Sequence, residues 1–195
     1  RRALGIGNSD GVVLFLGMLR RYKNIEELII SFRKVASSEA RLLIAGKFFS
    51  ESYIDELNNM IGGDERIILK VGNIPDENLQ LYFRAADLSV FPYREIHTSG
   101  SVYLSLAFCK PVLVPRLPFM EELAEINGPD WIRMYDSPLT TKELESGLAW
   151  SLGKERNDHP ASNSFDFSWF CEAMAGVFPS RDGAKETCSG RASFQ

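Results

Sequence analysis

The sequence predicts an α/β fold, with a parallel sheet of about six strands, helices on both faces and one further helix near the carboxyl end. Two patterns support this prediction. Short, wholly apolar runs rich in valine, isoleucine and leucine, such as Val12–Leu16, have the length and composition of strands buried on both faces. Between these runs lie longer segments with apolar residues at helical spacing, such as Ile25–Val35. Strands that alternate with amphipathic helices are typical of a parallel sheet packed between two helical layers.

The predicted elements follow one another with turn or capping residues at their ends. The predicted strands are Val12–Leu16, Arg41–Ala45, Ile67–Val71, Leu88–Phe91, Pro111–Val114 and Trp131–Tyr135. The predicted helices cover residues 25–35, 53–61, 76–85, 101–108, 140–152 and 165–178. Ser50 and Asp76 are placed to cap the second and third of these helices, and Gly62 ends the second. Thr140 and Glu143 have the spacing of a capping box at the start of the fifth.

The chain is predicted to form one domain over residues 1–153. The polar segment 154–164 is interpreted as a linker to the helix at 165–178, which would pack on this domain or on one that precedes it. The first residue is Arg1 instead of methionine, so we expect the chain to begin inside a longer protein or to have been processed. Residues 179–195 are polar and are expected to form a flexible tail.

Composition and charge argue against several classes of function. The chain has 195 residues, of which 45% are hydrophobic and 25% charged, as in ordinary globular domains. The net charge of -4, with no basic stripe, argues against a nucleic-acid partner. The three cysteines and two histidines are widely spaced, so neither a disulfide framework nor a metal site is expected. This cysteine usage fits a reducing compartment, and no apolar run is long enough to span a bilayer.

The loop after the first predicted strand has the chemistry of a phosphate site. In open parallel sheets, ligands bind beyond the carboxyl ends of the strands. Arg20 and Lys23 lie in the loop Gly17–Asn24, directly before a predicted helix. The first amide hydrogens and the partial positive charge of such a helix attract phosphate. A solvated basic loop would show the same pattern, so this loop alone does not establish a site.

Later loops carry residues that would complete a site for a sugar nucleotide. Glycines at Gly46 and Gly72 permit a close approach of backbone to a flat ligand. Glu95 precedes the small polar run Thr98–Ser101, which leads into a helix. Hydroxyls and amide hydrogens in that run would bind phosphate, while the carboxylate would accept hydrogen bonds from sugar hydroxyls. The alternative interpretation is a capped helix beside a surface glutamate.

Four segments, in this order and at this spacing, resemble the carboxyl-terminal domain of the group 1 family of retaining glycosyltransferases. These segments are Phe15–Asn24, Leu42–Gly46, Tyr82–Pro92 and Ala107–Val114. Enzymes of this family pair two Rossmann-like domains across a cleft, an arrangement called the GT-B fold. The resemblance therefore implies a Rossmann-like domain that binds a nucleotide-diphosphate sugar as donor substrate, with no cofactor and no metal.

The resemblance also implies partners and residue roles. A missing amino-terminal domain would bind a glycan or lipid-linked acceptor, and a lipid-linked acceptor would be compatible with peripheral membrane association. Without that domain the chain is expected to be inactive. Arg20 and Lys23 would stabilise the leaving diphosphate, and Glu95 would orient hydroxyls of the donor sugar. The implied donor-binding residues are Gly17, Gly46, Lys47, Gly72, Asn73, Ile74, Thr98, Ser99, Gly100, Ser101 and Val102.

The sequence departs from the family pattern at the positions of two family glutamates and one glycine. Ungapped alignment on Lys110–Pro111 places Ile96, instead of Glu95, at the first glutamate position. Leu104 replaces the second glutamate, and Cys109 replaces a usual glycine. These departures leave open a non-catalytic nucleotide-sugar-binding or regulatory module with the same fold. An unrelated flavodoxin-like signalling domain ranks last, because it would carry acidic residues where this chain has cations.

Overall fold

The computed structural model describes residues 1–96, 98–156 and 160–161, and these contain a single parallel sheet of six strands. The strands are β1 (Gly11–Leu16), β2 (Ala40–Gly46), β3 (Ile67–Val71), β4 (Leu88–Val90), β5 (Val112–Pro115) and β6 (Ile132–Tyr135). The helices are α1 (Ile25–Arg33), α2 (Glu51–Ile61), α3 (Asp76–Ala85), α4 (Gly100–Ala107), α5 (Pro118–Asn127) and α6 (Thr141–Leu152). The predicted α/β class and six-stranded parallel sheet are confirmed.

The strand order β3-β2-β1-β4-β5-β6 places the chain reversal between β1 and β4. From β1 the chain builds the sheet outward through β2 and β3, and β4 then returns to the other side of β1. The loops that leave β1 and β4 therefore diverge, and a crevice opens between them at the carboxyl edge of the sheet. This crevice is the position at which folds of this kind bind their ligands.

Helices cover both faces of the sheet. The larger core cluster contains Phe15 and Phe32, and it joins the sheet to α1, α2, α5 and α6. The second cluster lies on the opposite face, where Phe83 of α3 stacks on Phe108 with ring centroids 4.7 Å apart. Every residue of β1 is buried, which explains its wholly apolar sequence after Gly11.

Most predicted boundaries and caps agree with the structure. The Ser50 hydroxyl accepts a hydrogen bond from the amide of Tyr53 at the start of α2, and Gly62 ends that helix with φ 60°. Thr140 and Glu143 form a complete capping box at the start of α6. These two cap predictions are therefore confirmed.

Three details of the sequence prediction were wrong. Pro75, in an extended conformation, occupies the cap position of α3, so Asp76 is the first helical residue and its side chain caps nothing. Helix α1 ends at Arg33, although Val35 is still buried against the core. Strand β3 is an edge strand, so Lys70 and Val71 at its carboxyl end are exposed instead of buried on both faces.

Parts of the predicted domain organisation lie outside the described residues. These parts are the helix at 165–178, the tail at 179–195 and most of the linker at 154–164. Within the described ranges, no helix is both long and apolar enough to cross a membrane.

Cys109, which follows α4, adopts a left-handed backbone conformation with φ 53°. Residues other than glycine, asparagine and aspartate tolerate this backbone conformation poorly, because their Cβ atom crowds the following carbonyl oxygen. We therefore expect the Cys109→Gly variant to be more stable than Cys109→Ala by about 1 kcal/mol. Both variants remove the thiol, so urea denaturation of the pair isolates the backbone effect. Equal stabilities would show that the backbone at this position carries no strain.

Candidate functional site

The crevice between β1 and β4 brings together the loop after β1 and the first turn of α4. Gly17 has φ 152°, and a Cβ atom built on it would lie 2.7 Å from the Ser101 Oγ and 3.3 Å from the Lys23 Nζ. Both side chains thus lie directly against the Gly17 backbone. Three of the predicted site residues, Gly17, Lys23 and Ser101, are therefore neighbours in space.

Lys23 is a buried cation without a carboxylate partner among the described residues. It ends a short 3-10 turn, Arg21–Lys23, and only 6% of its surface is exposed. Its ammonium lies 5.2 Å from the ring centroid of Tyr93 and 5.9 Å from that of Tyr22. Burial, and then the positive charge of Arg20, lower the pKa of Lys23 to about 8. Leaving a cation buried and unpaired is costly, so the position favours an anionic ligand.

The two arginines beside Lys23 have different surroundings. The Arg20 guanidinium is exposed and stacks over the Phe49 ring, 4.3 Å from its centroid. Arg21 forms an ion pair with Glu56 and stacks on the Tyr53 ring, so it ties the loop to α2. Arg20 is therefore the arginine beside Lys23 whose charge is not paired with a carboxylate among the described residues.

The first turn of α4 is held by a small hydroxyl network. The Ser99 hydroxyl accepts a hydrogen bond from the amide of Val102 at 3.3 Å, and it shares a second one of 3.1 Å with the Tyr93 hydroxyl. Burial raises the pKa of Tyr93, so its hydroxyl stays neutral. Since Ser99 occupies the Val102 amide, a ligand at this turn would be bound by the remaining first amides of α4 and by the Ser101 hydroxyl, which also forms a hydrogen bond with that of Tyr93.

Tyr93 was not among the residues singled out from the sequence, although it contacts both parts of the site. Its hydroxyl fixes Ser99 at the start of α4, and its ring lies below the ammonium of Lys23. The available signal was its position, because Phe91, Pro92 and Tyr93 follow β4 directly. A tyrosine at the carboxyl end of a central strand is placed to line a site in this class of fold.

The loops after the first three strands contact one another through backbone atoms. A Cβ atom built on Gly46 would lie 1.7 Å from the carbonyl oxygen of Gly17. The Gly46 carbonyl in turn accepts a hydrogen bond of 3.0 Å from the Gly72 amide. Lys47 is exposed, and its carbonyl accepts a hydrogen bond of 2.7 Å from the amide of Leu19. Gly17, Gly46 and Gly72 thus form a continuous backbone ledge along the carboxyl edge of the sheet.

A depression of about 340 Å³ lies at the outer end of this ledge, beyond β3. It is lined by Gly72, Asn73 and Ile74, three of the donor-binding residues that the family resemblance implies, together with Lys70 and Tyr82. Ile74 also packs against the second core cluster, so its side chain has a structural role.

Glu95 and Thr98 lie in the loop that joins β4 to α4. Both are exposed, and neither side chain forms a hydrogen bond or ion pair within the described part of the chain. Gly100 begins α4 and supplies backbone only. The roles assigned to these residues from the sequence stay predictions. Among the described residues, no group of three or more histidine, cysteine, aspartate or glutamate side chains is arranged to hold a metal ion.

Comparison with known proteins gives a consistent family and fold. The chain is 29% identical over 172 residues to a GDP-mannose:glycolipid 4-beta-D-mannosyltransferase of Xanthomonas campestris pv. campestris. That alignment covers 84% of this chain and 49% of the relative, so the chain spans about half the relative's length.

Solved structures share the fold at low sequence identity. Sucrose-phosphate synthase from Thermosynechococcus elongatus superposes with a TM-score of 0.65 at 20% identity, covering 91% of this chain and 47% of that one. Anabaena HepE in complex with UDP-glucose gives a TM-score of 0.66 at 19% identity, covering 91% of this chain and 50% of that one. Residues 10–137 match the profile of the family described as glycosyl transferases group 1. Because this match covers more than half of the sequence, the chain belongs to the group 1 glycosyltransferase family.

Proposed function

We propose that this chain is the donor-binding domain of a glycosyltransferase and that its crevice binds a nucleotide-diphosphate sugar. The observation that carries the proposal is Lys23, a buried ammonium without a carboxylate partner in the described ranges, at the point where the strand order reverses. A diphosphate placed there would neutralise Lys23 and accept hydrogen bonds from the first amides of α4. The ledge then leads from this point to the depression at Gly72, where the base would lie.

The same groups would assist departure of the nucleoside diphosphate. Negative charge grows on the leaving phosphate oxygens as the bond to the sugar breaks. Lys23 and Arg20 carry fixed positive charge beside those oxygens, and Ser101 offers a hydroxyl donor. Glu95, on the loop after β4, would hold the donor hydroxyls in a fixed orientation. These roles agree with those implied by the family resemblance.

The named relatives support a hexose donor and a glycan or lipid-linked acceptor. The Xanthomonas relative is described as acting with GDP-mannose on a glycolipid, and the HepE structure contains UDP-glucose. We propose that the whole protein works in polysaccharide or glycoconjugate assembly, in the cytoplasm or at the membrane surface. The acceptor would be bound mainly by a second domain, since this chain spans about half of the relative.

For the stereochemical course we propose retention at the anomeric carbon, as the family resemblance implies. The name of the Xanthomonas relative specifies a β linkage, and forming a β linkage from an α-linked donor would invert that carbon. The one-bond carbon–proton coupling at the anomeric position of the product distinguishes the two courses. An inverted product would overturn retention and leave the donor-binding proposal intact.

The donor proposal is tested by calorimetric titration of the protein with GDP, UDP and ADP, with and without magnesium. We expect one nucleotide to bind at pH 7 and to bind about tenfold more weakly at pH 9. The reason is that the free Lys23 has a pKa of about 8 and must be protonated to bind a phosphate. Absence of nucleotide binding by folded protein would contradict the proposal. Binding by a full-length protein that transfers no sugar would instead favour the non-catalytic module that Leu104 and Cys109 leave open.

A further inference from the structure

A second concave surface lies at the same edge of the sheet, between α1 and the start of α6. It has a volume of about 540 Å³, and three cations line it. Lys34 follows α1, Arg94 lies in the loop after β4, and Lys142 belongs to the first turn of α6. We call this surface the basic groove. Its cations come from three separate segments of the chain. The groove is therefore assembled by the fold and does not correspond to a basic run in the sequence.

The lining of the basic groove carries a net positive charge, because its three cations outnumber its one carboxylate, Glu27. No side chain of its three cations forms an ion pair within the part of the chain that the structure describes. Glu27 also lines the groove and keeps its negative charge, while its carboxylate is held in place by hydrogen bonds from the side-chain amide of Asn24 and the backbone amide of Leu139. A concentration of unpaired cations in a chain with net charge -4 favours an anionic ligand.

The start of α6 adds little to this attraction, because its capping box occupies the amide of Glu143 and places a carboxylate there. The capping box of Thr140 and Glu143 engages the start of that helix, and Glu143 brings a negative charge to it. Binding of an anion in the basic groove would therefore depend on the cationic side chains. This dependence makes the groove testable by side-chain substitution.

The basic groove adjoins the crevice that we assign to the donor. Asn24 lines the groove and directly follows Lys23. Arg94 lines it too, and it directly follows Tyr93, whose ring centroid lies 5.2 Å from the Lys23 ammonium. A ligand in the groove would thus lie beside the donor diphosphate, on the side of the sheet that α1 and α6 cover.

We propose that the basic groove binds a phosphate or diphosphate group carried by the acceptor. This inference rests on the proposed function. A phosphate-bearing ligand in the groove is an acceptor only because the neighbouring crevice binds the sugar donor. The volume exceeds that of a diphosphate, and Ile30, Pro138 and Leu139 supply apolar wall. That wall is suited to the lipid or sugar to which the phosphate is attached. The lipid-borne and the free phosphate share the chemistry that the three cations recognise.

Two probes separate the sources of the phosphate. Inorganic pyrophosphate is titrated into protein already saturated with its preferred nucleotide, which occupies the Lys23 site. Phosphatidylcholine vesicles with and without an isoprenyl diphosphate are tested by co-sedimentation with the same protein. Both measurements are repeated with the triple variant Lys34→Gln, Arg94→Gln, Lys142→Gln and with Arg84→Gln, a control on α3 that does not line the groove.

We expect the triple variant to weaken binding of the diphosphate probe by about tenfold or more, because charge-assisted hydrogen bonds are lost. Nucleotide affinity should be unchanged, and Arg84→Gln should behave like the unaltered protein. Binding to both probes would indicate recognition of the phosphate alone, and binding only to the diphosphate-containing vesicles would indicate a lipid-borne acceptor. Binding to neither probe, or equal binding by the triple variant, would overturn the proposal. Because nucleotide binding is measured in the same samples, failure of the groove and failure of the donor site are distinguishable.

Discussion

Replacing Lys23 with methionine is expected to weaken nucleoside diphosphate binding by roughly 10- to 150-fold, which corresponds to ~1.5–3 kcal/mol for hydrogen bonds to a charged group. The same substitution should stabilise the fold in the absence of ligand. Burial lowers the pKa of Lys23 from 10.5 to about 8, so the folded state holds this proton less tightly than the unfolded state. At pH 7 the charged side chain costs the folded protein about 3 kcal/mol, which methionine would recover.

The pH dependence of this stability gain identifies its origin. Because the folded pKa lies below the unfolded one, the cost is present in full below pH 8 and fades as the pH rises from 8 to 10.5. Urea denaturation of the two proteins at pH 7 and pH 10 measures the difference, and calorimetry measures nucleotide affinity. Lys154→Met is the matched control, since that lysine is partly exposed and pairs with Asp130. A Lys23→Met protein that binds nucleotide normally would remove the main support for the donor site.

Gly46→Ala is expected to destabilise the protein by on the order of 3–5 kcal/mol, the sum of overpacking and backbone strain. The new Cβ atom would lie 1.7 Å from the Gly17 carbonyl oxygen, a backbone atom that cannot swing aside as a flexible side chain would. The Gly46 backbone also has φ 148°, which alanine rarely adopts. Relief of the contact would separate the loops after β1 and β2, so nucleotide affinity should fall as well.

The Gly63→Ala variant separates the effect of the steric clash from that of backbone strain, because it introduces strain without a clash. Gly63 has φ 80° and open space where a Cβ would be placed, so we expect a loss of only about 1–2 kcal/mol. Thermal and urea unfolding of both variants give the comparison, and circular dichroism shows whether Gly46→Ala folds. Equal losses in the two variants would mean that the loops after β1 and β2 can separate without cost.

The sheet could be predicted from the sequence because each strand has a local signal. The apolar runs, the Ser50 cap and the Thr140–Glu143 capping box all act within a few residues. The errors depended on information from elsewhere in the fold. Lys70 and Val71 are exposed because β3 is the edge strand of the sheet. The local sequence pattern does not indicate which strand lies at the edge. The cap of α3 was misassigned because the fixed φ and extended ψ of Pro75 let the helix begin at Asp76, one position earlier than it would if Asp76 were the cap.

Only part of the geometry of the candidate site could be predicted from the sequence, because local patterns do not contain the tertiary packing. Lys23 stands out in the sequence as a cation after a strand, but its burial and its lowered pKa depend on tertiary packing. Tyr93 looked like an ordinary aromatic residue until the structure placed it between Ser99 and Lys23. The basic groove has no sequence signature, because its cations are far apart in the chain and meet only through the packing of α1 and α6.

The backbone ledge of Gly17, Gly46 and Gly72 limits how base preference could change, whether by evolution or by engineering. Each loop touches the next through main-chain atoms, so a shift of the outer loop would be transmitted inward towards Lys23. Insertions or altered turn lengths near Gly72 would therefore disturb diphosphate binding together with base recognition. Substitutions confined to the side chains of Lys70, Asn73 and Tyr82 avoid this coupling. Those three positions are where a library designed to exchange one nucleotide for another should concentrate its diversity.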